Sequence, residues 1–141
     1  MHRFLRSFAV CLCLLAGFSF SAEAQEQSAE EKKAEKEFYE SIDKEVERLT
    51  NLLELEDWQA FYVDSILTHD YKAMQDELKA LSAKKVSNPD LYYEIQYKWM
   101  DTIYYAFEKY FDEDQWAKYL KSGAARDKKA RDKKRTNAGK K

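Results

Sequence analysis

His69, the one histidine outside the first two residues, sits four residues after Ser65, with Asp64 and Asp70 beside them in sequence. On a helix that spacing puts a hydroxyl and an imidazole on one face, the beginning of a nucleophile–base pair. Acyl transfer also needs an oxyanion pocket, usually built from loop backbone, and this chain lacks the loops. A metal site at His69 would draw on Ser65, Ile66, Lys72 or Ala73 one turn away, and none is a strong zinc or iron ligand. The acidic groups "EDWQ" and "FDEDQ" lack the glycine turn and alternating ligands of a calcium loop. Acids facing a helix dipole explain them better. No catalytic residue, metal or cofactor is expected, and the protein is read as a non-enzyme.

Those acidic groups belong to a phrase used twice. Leu55-Glu56-Asp57-Trp58-Gln59 and Phe111-Asp112-Glu113-Asp114-Gln115 each place an apolar residue before an acidic cap and a glutamine three residues after it. Asp112 is a good N-cap and Gln115 can reach back to its N–H. Glu56 is a poorer cap, with Gln59 in the reciprocating position. Leu55 and Phe111 can staple each corner. Each phrase stops one helix and starts the next.

The chain between those corners must be helical. From Gln25 to Ser122 there is no glycine, and Pro89 is the only proline. Hairpin turns and phosphate-cradling loops need residues that accept positive φ, so neither sheets nor nucleotide loops are expected. Ser28 and Glu31 have capping-box spacing, and Phe38, Ile42, Val46, Leu49 and Leu53 mark a first helix. Val63, Leu67, Tyr71, Met74, Leu78 and Leu81 mark a second, beginning near Asp57. Asn88 and Pro89 open a third, reaching about Tyr110. "DEDQWAKYLKS" is a fourth, ending near Gly123.

The third helix carries two apolar stripes. One is Tyr92, Ile95, Trp99, Ile103, Ala106 and Tyr110; the other is Tyr93, Tyr97, Met100, Tyr104, Phe107 and Phe111. A bundle this small buries one of them, and the other should meet a second subunit or a client. Tyrosine suits that role, because its ring gives contact area while its hydroxyl tolerates water. Tyr62, Tyr93, Tyr97, Met100, Tyr104 and Phe107 are the expected binding residues.

The first residues bear on compartment. "MHRFLR" is a basic head, "SFAVCLCLLAGFSF" an apolar run, and Ala22 and Ala24 an A-x-A cleavage pattern. The run is short of the ~20 residues of a spanning helix. Cleavage after Ala24 would make the protein periplasmic or secreted and remove Cys11 and Cys13, leaving no disulfide or thiolate site. The expected organisation is a signal peptide at 1–24, a charged frayed segment at 25–36, a helical domain at 37–122 and a basic tail at 123–141.

Charge divides along the chain. Residues 25–120 hold 12 Lys and Arg against 23 Asp and Glu, whereas residues 121–141 hold 10 against 2. An exposed ion pair contributes about 0–1 kcal/mol, and ordering one residue costs ~1–2 kcal/mol. The tail is therefore expected to stay off the body, flexible and solubilising, with at most weak contact to anionic envelope surfaces. Export argues against a nucleic-acid partner.

The doubled phrase, the leader and the glycine-free helical body together resemble the Spy/CpxP family of periplasmic stress proteins, whose mark is a repeated Leu-Thr-x-x-Gln. Glu56 and Asp112 replace the threonines. The resemblance covers the two pentads, the helix order and the basic end of the chain. It implies a curved, cradle-like helical homodimer that holds unfolding clients without ATP. Chaperone members present basic residues on the cradle. This body is acidic, so aromatic contacts would have to carry more of the binding. A structural or adaptor protein with one dedicated partner is the alternative.

Overall fold

The computed structural model describes the backbone of residues 19–138 and the side chains of residues 28–137. The basic head and most of the apolar run of the expected signal peptide lie outside the described residues, as do the last three residues. Five α-helices account for nearly all of the described chain: α1 (Ser19–Leu53), α2 (Asp57–Ala83), α3 (Pro89–Tyr110), α4 (Glu113–Tyr119) and α5 (Ala125–Ala138). A kinked turn, Leu120–Ala124, joins the last two, with Gly123 at φ 124°. The fold is all-α, with no strand among the described residues.

The chain divides into two units, 1–40 and 41–141. In the first, α1 runs unbroken past Ser28, so the Ser28–Glu31 spacing is not a helix start. Alanine, glutamate, glutamine and lysine are strong helix formers, and no breaker precedes them. Side chains 29–37 are all exposed. Only pairs of the i,i+4 kind decorate this segment, such as Lys33–Glu37 at 3.9 Å and Lys36–Glu40 at 3.6 Å.

The second unit holds the core. Ile42, Leu49 and Leu53 from α1, Leu55 from the first corner, Val63 and Leu67 from α2, and Ile103, Phe107 and Phe111 from the end of α3 are its buried apolar residues. These are the positions where α1 ends, α2 starts, and α3 gives way to α4. Helices α2 and α3 form an antiparallel pair, with Glu77 bonded to Lys98 near the turn and Tyr62 stacked on Tyr110 at the far end. Toward the turn, Met74, Leu78, Leu81, Ile95 and Trp99 are only half-buried.

The corners before α2, α3 and α4 are made without glycine. Glu54 and Lys85 each adopt a φ of 54° just past a helix end, where glycine is the usual residue. Asn88 caps α3 through its side chain, accepting the Asp90 N–H at 3.0 Å, with Pro89 following. Tyr92 donates its hydroxyl to the Val86 carbonyl at 2.9 Å and closes that connection.

Candidate functional site

The two repeated phrases meet. Gln59 and Gln115, 56 residues apart, exchange amide hydrogen bonds in both directions: Gln59 Nε2 donates to Gln115 Oε1 at 2.6 Å and Gln115 Nε2 donates to Gln59 Oε1 at 3.0 Å. Each Oε1 also accepts its own cap's backbone N–H, from Glu56 at 3.0 Å and from Asp112 at 3.1 Å. Gln59 Nε2 further donates to the Tyr110 carbonyl at 3.0 Å. Both side chains are buried, where amide groups must find partners. Asp112 accepts the Gln115 N–H at 2.8 Å, while the Glu56 carboxylate takes the Trp58 indole N–H at 2.6 Å. The corners are thus one polar lock that fixes the start of α2 against the start of α4, and with them the end of α3.

From that anchor, α3 presents a ridge of residues four apart: Tyr93, Tyr97, Asp101 and Tyr105. Tyr93 and Tyr97 stack at 6.0 Å. Tyr93 and Tyr105 are 46% and 49% exposed. Residues beside the ridge turn inward progressively. Tyr97 of the ridge is half-buried, as is Met100 beside it, and Tyr104 lies against Trp116 at 5.0 Å and Tyr105 at 5.4 Å. Met100 and Tyr104 line a 120 Å³ cavity shared with Tyr71, Tyr119 and Arg131. Phe107 is 1% exposed.

Of the six expected binding residues, then, Tyr62 and Tyr93 are open, Tyr97, Met100 and Tyr104 are partly covered, and Phe107 belongs to the core. The reason is helical drift. A stripe with a seven-residue repeat rotates about 20° per heptad on a straight helix, so one stripe does not keep one environment over six turns. Neither stripe of α3 is wholly inside: Ile103 of the first and Phe107 and Phe111 of the second are the buried members.

The tail also departs from expectation. Helix α5 packs on α3, and two arginines converge on Asp101, Arg131 Nε donating at 3.0 Å and Arg135 donating through Nη1. Arg135 also pairs with Glu94 at 3.6 Å. Lys128 stands 5.6 Å over Tyr105, Lys134 5.5 Å over Tyr93 and the Arg135 guanidinium 5.6 Å over Tyr97. Pricing the pairs singly, as exposed, misses this. The side chains of Arg131 and Asp101 are only 14% and 13% exposed, one carboxylate serves two cations, and ring faces add cation–π attraction of about 0.5–1 kcal/mol each or more.

A second aromatic cluster stands at the start of α2. Trp58, Phe61 and Tyr62 are 50%, 66% and 40% exposed, and Phe61 is the most open of the large apolar side chains among the described residues. Tyr62 meets Trp58 edge-on at 6.3 Å and Phe61 at 5.7 Å, and its other face stacks on Tyr110 at 4.5 Å. Phe61 and Tyr105 are absent from the expected binding residues. The spacing 58, 61, 62 is itself a short helical stripe, distinct from the Val63–Leu67 stripe that enters the core.

His69 Nδ1 bonds to Asp70 Oδ1 at 2.7 Å, with the His69 side chain 76% exposed. Ser65 and His69 line an open groove along α2. Among the described residues no three or more His, Cys, Asp or Glu side chains assemble as a metal-ligand set, and no helix is long and apolar enough to cross a membrane. Burial pushes the Tyr119 hydroxyl up to about 12 and raises that of Tyr71. Comparison with known protein families, with curated proteins and with solved structures finds no match.

Proposed function

We propose that the protein is an exported helical binding protein of the Spy/CpxP kind, a homodimer that holds unfolding protein segments without ATP or any cofactor. The observation that carries this reading is the set of rings left open on a well-anchored frame: Trp58, Phe61 and Tyr62 on α2, and Tyr93 and Tyr105 on α3. Large side chains that stay wet in a small helical protein are the material of an interface. Tyrosine and tryptophan dominate the set, and both tolerate water in the empty state.

The acidic surroundings distinguish this surface from a basic cradle. Contact would come from rings, with carboxylates selecting against acidic segments. The direct test is light scattering of a chemically denatured client diluted into buffer without nucleotide. Equimolar protein is expected to delay aggregation, and absence of delay at several-fold excess would remove the holdase reading. Sedimentation of the protein alone tests the dimer, for which a monomer at tens of micromolar is the contrary result.

A further inference from the structure

We infer that the α3 ridge is a receptor for cationic helical segments, and that α5 is its tethered occupant. The partner chemistry is thereby specified: an Arg/Lys-rich stretch of a protein chain that forms a helix on contact. This deepens the proposed function and rests on its reading of α3 as a binding face.

The ridge alternates what a cationic helix needs. Rings at Tyr93, Tyr97 and Tyr105 and a carboxylate at Asp101 recur every four residues, with Glu94 at the flank. Lys128, Arg131 and Arg135 fall at i, i+3 and i+7, one face of a helix, and meet Tyr105, Asp101 and the Tyr97–Glu94 pair in that order. The match runs antiparallel over about two turns.

Sequence within α5 shows that the fit is selective. "ARDKK" occurs twice in succession, at 125–129 and 130–134. Five residues is not a helical repeat, so equivalent positions point differently. Arg126 of the first copy is 82% exposed and bonds Asp127 at 3.0 Å. Arg131 of the second is 14% exposed on Asp101. Helical position, and not positive charge alone, decides which arginines reach Asp101.

The tether suits an exchangeable occupant. The kink between α4 and α5 has Gly123 at φ 124°, a conformation that other residues adopt only with strain. Among the described residues no buried apolar one lies beyond Phe111, so α5 is held by charge and ring faces. A tethered segment acts at an effective concentration on the order of millimolar. A free cationic segment at micromolar concentration therefore competes poorly until the latch is weakened, because only the unlatched fraction binds it.

The test uses fluorescence anisotropy with a fluorescein-labelled peptide of residues 121–141 added to the purified full chain. The latch-weakened variant R131A/R135A is expected to bind it at least tenfold more tightly than the wild type, and adding D101N should abolish that gain. A peptide carrying glutamate at the positions of Arg131 and Arg135 should not bind. Hydrogen exchange supplies a second measurement: D101N should speed exchange across 125–138 at least tenfold, leaving amides of 103–107 unchanged. Equal affinity of wild type and R131A/R135A, or binding by R131A/R135A that survives D101N, would overturn the inference. Peptide binding without any delay of client aggregation would leave this site standing and remove the holdase reading. The opposite pair of results would remove only this inference.

Discussion

Replacing Gln59 by leucine tests whether the two corners act as one unit. Leucine has similar volume but no amide, so the change removes both bonds to Gln115, the bond to the Tyr110 carbonyl and the acceptor for the Glu56 N–H. Gln115 Nε2 is then left buried without an acceptor, while Oε1 keeps the Asp112 N–H, at a cost of about 1–3 kcal/mol. The Tyr110 and Glu56 backbone groups are only partly buried, so water recovers much of their loss. We expect Q59L to cost about 3 kcal/mol, and Q115L, which spares the Tyr110 contact, about 2–3 kcal/mol. The double variant Q59L/Q115L orphans neither amide and places two apolar side chains in contact. It should cost about 2 kcal/mol less than the two single changes together, within the range of directly coupled neighbours. Urea unfolding followed by circular dichroism at 222 nm, with equal m-values across the set, measures all three. Additivity to within about 0.5 kcal/mol would show that the glutamines serve their caps separately and that the lock does not exist.

Other perturbations separate core from surface. Phe107→Ala should destabilise by about 3–5 kcal/mol, whereas Tyr93→Ala, at an open position, should change stability by less than about 1 kcal/mol in the same urea assay. Tyr119 titrates near 12 in the folded protein and near 10 when unfolded. Its contribution is complete below pH 10 and is lost as pH rises toward 12, by an amount on the order of 2 kcal/mol. Tyr119→Phe should flatten that alkaline decline, and an unchanged slope between pH 10 and 12 would assign it elsewhere. Lys85→Gly relieves a left-handed residue and should raise stability by about 0.5–1 kcal/mol. A lowered urea midpoint would contradict that reading of the turn.

How far the sequence shows the fold can be followed residue by residue. Asn88 before Pro89, and Asp112 before Gln115, announce helix starts because a cap is a local bond between near neighbours. The absence of glycine likewise predicts helices, although the corners still reach positive φ at Glu54 and Lys85. What local pattern does not carry is which corner meets which. The Gln59–Gln115 bond spans 56 residues and depends on how α1 to α3 pack. Phe107 looks like Tyr104 or Tyr97 in spacing, and only drift of the stripe into the crowded corner makes it core. Weighing the tail's ion pairs one at a time predicts a mobile segment, because the sequence does not show that two arginines share one shielded carboxylate. Asp101 looks like any other carboxylate in so acidic a sequence, yet it receives both Arg131 and Arg135.

The claim that open rings on α2 and α3 contact client chains is tested most directly by site-specific photo-crosslinking. A benzophenone side chain placed singly at Phe61, Tyr93 or Tyr105, and at the exposed Lys79 as control, would be irradiated with a denaturing client in the absence of nucleotide. The account predicts covalent client adducts from the three ring positions and little from Lys79. Adducts of equal yield at Lys79, or none at Phe61 and Tyr93 while aggregation is still delayed, would contradict it.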